Sequence, residues 1–143
     1  MYKRVKDKTD LLAMMKLPIV GKQYLHVYVW KNNDAMRLNY DFDGGFAAAY
    51  CGLTVKEMVP SGELIIGNKW GEIHLVKGEF GVGIFAHELQ HFIIDWIDVY
   101  GCEFVSEQIE ELCLIVGNMT NRFWIWFYGN GMDKGEEMEH VGN

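Results

Sequence analysis

The chain has 143 residues, half of them hydrophobic and 14% aromatic, enough apolar material for one domain with its own core and too much for a disordered chain. Twenty acidic against 13 basic side chains give a net charge of −7 with no Lys/Arg cluster to offset it, so neither nucleic acid nor an anionic membrane is an expected partner. No apolar run is long enough to span a bilayer or to make a leader behind the basic Met1–Lys6 start, and three cysteines (Cys51, Cys102, Cys113) without framework spacing point to a reducing, cytoplasmic setting.

In chain order, Thr9 is expected to cap a short helix over Asp10–Lys16, with Leu11, Leu12, Met14 and Met15 as its apolar side and Pro18 as its stop. Tyr24–Trp30 is rich in β-formers and reads as a strand, with His26 as a surface or packing residue. Lys31–Asp34 and Asp41–Gly45 read as turns. Asp41 and Asp43 open like a calcium loop, but the later ligand positions and the closing glutamate do not follow, so no calcium is expected there. Phe46–Cys51 and Val55–Val59 read as strands, Pro60–Gly62 as a turn and Glu63–Ile66 as a short apolar run. Gly71–Val76 alternates and reads as a further strand, in which His74 is expected to pack rather than to ligate. The N-terminal half is thus a small twisted sheet with one helix.

An apolar lead, Val82–Ala86, then runs into His87-Glu88-Leu89-Gln90-His91, which matches H-E-x-x-H. On a helix, residues i and i+4 share a face one turn apart, so His87 and His91 can put two imidazole nitrogens on one metal ion. Glu88 falls on the flank of that face, in reach of a metal-bound water, the position of a general base. The helix itself is predicted by Phe85, Leu89, Phe92, Ile93, Trp96 and Tyr100, an apolar stripe of helical period. His87, His91 and Asp95 form a separate stripe, off the packing seam, and Gly101 supplies the stop. A structural zinc that adds Cys102 and Cys113 to the two histidines is disfavoured, because ten residues between the cysteines is not a knuckle spacing.

Ser106 is the expected N-cap of a second helix whose first turns carry Glu107, Glu110 and Glu111. Those glutamates compensate the helix dipole, and one of them is the candidate third ligand. Glu110 leads, because Cys113 and Gly117 on its face let another helix approach; Glu111 follows, then Glu107. Asn118–Thr120 ends or interrupts this helix, and the aromatic Arg122–Tyr128 is a last element that packs on the core or meets a partner. Residues 1–128 form one domain, and 129–143 read as a polar tail. The fold class is α+β, with the sheet packed on the motif helix and the helix after it.

On Gly83–His91 and on Glu110-Glu111-Leu112-Cys113, with 18 residues between His91 and Glu110, the chain resembles a compact zincin of the gluzincin type, similar to ImmA/IrrE-like domains and small phage-encoded zincin-like proteins. The resemblance covers Gly71 to Gly117. It implies a zincin-like fold, a zinc ion held by His87, His91 and Glu110, and Gly71–Val76 as the edge strand along which an extended peptide pairs. The longer metzincin pattern is absent, since Ile94 and Ile97 stand where its glycine and third histidine belong, and the peptide-deformylase order of cysteine and motif is not met. Asp95 and Asp98 offer an aspartate-ligand variant.

The expected activity is hydrolysis of a peptide or protein substrate by a zinc metallopeptidase with Glu88 as general base. Tyr100, Tyr128 and His140 qualify by residue type as donors to the oxyanion. The rival readings are a non-catalytic zinc-binding domain using the same ligands, and a metal-free interaction domain that docks through Arg122–Tyr128.

Overall fold

In the computed structural model, residues 7–37, 48–52, 57–58, 64–65, 68–103 and 105–134 are described. The first element is not the expected helix over Asp10–Lys16 but a strand, β1 (Leu11–Pro18). Leucine, methionine and alanine favour helix locally, but the segment pairs along its length with the next strand, and pairing overrides propensity. Leu12, Met14, Lys16 and Pro18 alternate outward, while Leu17 is fully buried. Asp10, in the turn before the strand, has φ 60°, and Thr9 does not cap a helix: its backbone N–H donates to the Asp7 carboxylate at 2.9 Å.

The second strand, β2 (Tyr24–Trp30), has the bounds read from the sequence. Asn32 then accepts the Ala35 N–H at 2.8 Å and caps a five-residue helix, α1 (Asn33–Arg37), where the sequence reading had only a turn. Of the expected strand Phe46–Cys51, β3 (Ala48–Gly52) is described. Val55–Val59 and Glu63–Ile66 contribute the two-residue strands β4 (Glu57–Met58) and β5 (Leu64–Ile65), paired antiparallel and apart from the main sheet. The turns Asp41–Gly45 and Pro60–Gly62, and His140 in the tail, lie outside the described residues.

The sixth strand, β6 (Lys69–Val76), corrects a second expectation. The resemblance implied an edge strand, but the sheet order is β1-β2-β6-β3, with β6 parallel to β2 on one side and antiparallel to β3 on the other. Trp70 to Val76 are buried without a break, as a strand covered on both faces requires. The edges are β1 and β3. The result is an α+β domain built on a four-stranded mixed sheet.

One face of the sheet carries the main core, where Leu25, Val27, Val29, Ile73 and Leu75 meet the two long helices. The other carries Tyr28, Trp30 and Val76 under Ala35 and Met36 of α1. The motif helix, α2 (Val82–Tyr100), buries Phe85, Leu89, Phe92 and Ile93 of the predicted seam. Gly101 ends it at φ 76°, with its N–H on the Ile97 carbonyl, a conformation that favours glycine.

The last helix, α3 (Ser106–Gly129), runs 24 residues without the break expected at Asn118–Thr120. Thr120 hydrogen-bonds its hydroxyl to the Val116 carbonyl one turn back, so the polar group is satisfied inside the helix. Ser106 is the first helical residue and not the cap; Val105 holds the cap position with no side-chain bond. Arg122–Tyr128 is the second half of α3, where Phe123 and Phe127 are buried while Ile125 and Tyr128 stay exposed.

Gly71 of β6 faces Gly52 of β3. A Cβ on Gly71 would come within 2.7 Å of the Cys51 carbonyl oxygen, and the Tyr50 ring lies over both glycines. The obstacle is backbone, so Gly71→Ala is expected to part the two strands at a cost of about 1–3 kcal/mol. Thermal denaturation checks this; an unchanged midpoint would show that β3 is not seated as described.

Candidate functional site

The motif helix presents two sides. Its seam is spent on the core, which leaves His87 and His91 in solvent, as the separate stripe in the sequence requires. The His87 side chain is 69% exposed. The two Nε2 atoms stand 3.3 Å apart, with the ring planes at 72°. Two ligands about 2.0–2.1 Å from a tetrahedral ion are themselves about 3.3–3.4 Å apart, so the separation is that of a zinc-bound pair; here it is spanned by a hydrogen bond between the two Nε2 atoms.

Glu88 lies between this open face and the sheet. It is 7% exposed, with Oε1 4.0 Å from His87 Nε2. Burial raises its carboxyl above the ordinary value; His87, His91 and a hydrogen bond from the Tyr50 backbone N–H pull the other way. Since β3 is an edge strand and this N–H is engaged by Glu88, the carboxylate caps a main-chain donor at the sheet's edge. A carboxylate partly withdrawn from water beside two imidazoles, and held by a backbone donor, has the placement of a proton-transfer group.

Tyr50 ties the strand to the helix a second time. Its hydroxyl donates to Asp95 Oδ2 at 3.0 Å, and burial with the Asp95 charge keeps the phenol from ionising. Nothing in the sequence singled out Tyr50. Its place depends on the β3–β6 register and on the glycine pair beneath its ring, neither of which local sequence encodes.

The candidate third ligands are not gathered with the histidines. Glu107, Glu110 and Glu111 are all exposed on the first turns of α3. Phe85 stacks on Phe123 at 4.0 Å, and Trp96 and Tyr100 share a cavity with Gln108, Glu111 and Leu112, so α3 runs back antiparallel to α2. That pairing puts Glu110 on the order of 10 Å along the helix axis from the histidine pair. Among the described residues no group of three His, Cys, Asp or Glu side chains is arranged to hold a metal. His74 is fully buried within the sheet, bonded to Trp30 and Glu72, and Asp95 is engaged by Tyr50. Of the oxyanion-donor candidates, Tyr100 sits at the far end of α2, bonded by Gln23, and Tyr128 is exposed near the end of α3.

Among the described residues no helix is long and apolar enough to cross a membrane. Compared with known protein families, with curated proteins and with solved structures, the chain matches none.

Proposed function

We propose that the chain is a zinc-dependent metallopeptidase with a zincin-like fold, working in the cytoplasm on a peptide or protein substrate. The observation that carries this reading is the Nε2–Nε2 distance of 3.3 Å between His87 and His91, on an open face with a buried carboxylate beside it. In this reading His87 and His91 hold the ion. Glu110 is the third protein ligand, with Glu111 and Glu107 as alternatives, and α3 must shift along α2 by on the order of 10 Å to bring it level with the pair when the ion loads. Zinc, when bound, polarises a carbonyl and brings a water molecule to nucleophilic strength at neutral pH. Glu88 takes the proton of the attacking water and returns it to the leaving amine. The Tyr50 N–H fixes the carboxylate in the orientation that serves both transfers.

A second reading, a non-catalytic zinc domain, is favoured by the same Glu88–Tyr50 bond, since a carboxylate that locks an edge strand has a structural use. Both readings need the ion. The first test is zinc content by mass spectrometry on protein purified without added metal or chelator. Near-stoichiometric zinc in the wild type, lost in His87→Ala/His91→Ala, is expected. No zinc in the wild type and no stabilisation on adding it back would end both readings and leave a metal-free interaction domain. Single Glu107→Ala, Glu110→Ala and Glu111→Ala variants, assayed in the same way, assign the third ligand.

A further inference from the structure

Where α2 turns into α3, a cavity of about 430 Å³ opens, remote from the histidines. Its walls are Trp96, Tyr100 and Leu112, and its polar lining is Glu103, Gln108 and Glu111, with no Lys, Arg or His among the lining residues. The two aromatic rings are set in advance. Gln23, from the turn between β1 and β2, accepts the Trp96 indole N–H at 3.3 Å and donates to the Tyr100 hydroxyl, so one side chain fixes the polar end of both. The rings stand 4.7 Å apart at 46°. The Gln108 side-chain oxygen accepts the Glu103 N–H at 2.8 Å, which holds the loop that carries the first carboxylate.

The electrostatics of this cavity have one sign. Glu103 and Glu111 are exposed at its rim. The C-terminal end of α2 opens into it with no basic residue in its last turn, so the negative end of that helix dipole is uncompensated there. Across the cavity, Glu107 in the first turn of α3 offsets the positive end of the other helix. Fixed ring faces beside two carboxylates complement a planar organic cation, which stacks on a ring and offers a fork of donors to a carboxylate.

We propose that this cavity binds the guanidinium of an arginine side chain presented by a peptide or protein. Arginine fits better than lysine because an ammonium is compact and strongly hydrated, and neither stacks flat nor bridges two carboxylate oxygens. The site lies on the seam side of α2, beyond the core, and it is tested on the metal-free protein; its failure would leave the zinc-content test of the peptidase reading unchanged.

The test is nuclear magnetic resonance on the full-length ¹⁵N-labelled protein, following the Trp96 indole cross-peak, identified by its loss in Trp96→Phe. N-acetylarginine amide is expected to give a saturable shift, and N-acetylcitrulline amide, its neutral isostere, none. Glu103→Gln, at an exposed position outside the proposed ligand set, is expected to weaken the arginine amide about threefold. Equal shifts from the citrulline amide or from N-acetyllysine amide, or no saturable shift from any of the three, would overturn the proposal.

Discussion

Glu88→Gln is expected to cut peptide hydrolysis by about 10²–10⁴-fold while leaving zinc content unchanged. Glutamine keeps the shape of the side chain and keeps an oxygen to accept the Tyr50 N–H, so the lock between β3 and α2 survives. What disappears is the ability to take a proton from water. The variant therefore separates the two zinc readings. A structural carboxylate predicts little change anywhere, and a catalytic one predicts loss of turnover alone. Glu88→Ala loses the base and the lock together, so a fall in its thermal stability that Glu88→Gln does not share would measure the lock. The metal-free protein adds a pH signature. Burial holds the Glu88 carboxyl above its ordinary value, so the group contributes stability that is fully present below its unfolded-state value and is lost as pH rises through the raised one. Glu88→Gln removes that slope, and denaturation at several pH values reads the difference. Full peptidase turnover by Glu88→Gln would sink the mechanism.

The parts that could be read from the chain are those in which local chemistry and tertiary packing agree. β2 is alternating and β-rich, and it pairs on both sides. The seam of α2 is a 3.6-residue stripe that meets a flat apolar sheet, and its glycine stop uses the one residue at ease with positive φ. Where they disagree, packing wins. Leu11–Met15 prefers helix, yet an unpaired edge of β2 is available to it. Asn118–Thr120 reads as an interruption, yet Met119 is buried and Thr120 bonds backward, so α3 continues. Strand order and helix register are not local properties at all. Nothing within Gly71–Val76 says that β3 will cover its far side. Nothing within α3 says that its three early glutamates face the C-terminal end of α2 and not His87 and His91, because that depends on how two helices pair. The motif was legible for the same reason: both histidines and the glutamate belong to a single turn of one helix, whose geometry any sequence inherits.

His74→Ala is expected to cost about 3–5 kcal/mol of stability, because His74 sits inside a chain of polar side chains buried in the sheet. The Trp30 indole N–H donates to His74 Nδ1 at 2.9 Å, which leaves that nitrogen without a proton and puts the ring hydrogen on Nε2. Nε2 then donates to Glu72 Oε1 at 3.2 Å. Glu72 Oε2 accepts the Tyr28 hydroxyl at 3.2 Å and pairs with Lys69 Nζ at 2.7 Å. The His74 ring is stacked at 4.9 Å on that of Tyr28, its neighbour across the β2–β6 pair. Alanine at this position leaves a void between stacked rings and strands the Trp30 donor in a fully buried place. His74→Asn puts an amide oxygen near the vacated Nδ1 and is expected to recover part of the loss. The pH dependence has a definite sign. Burial, the dominant influence, depresses the His74 pKa, so the ring is neutral in the fold and its contribution is present above the unfolded-state value and lost as pH falls through the depressed one. Wild type should therefore lose more stability on acidification than His74→Asn, which has no ring to protonate. Chemical denaturation of the two proteins at neutral and mildly acidic pH gives both numbers. Equal acid sensitivity would mean that the fold does not exclude a proton from the His74 ring, and the Trp30 N–H, which can only donate, could then not be paired with Nδ1 as described.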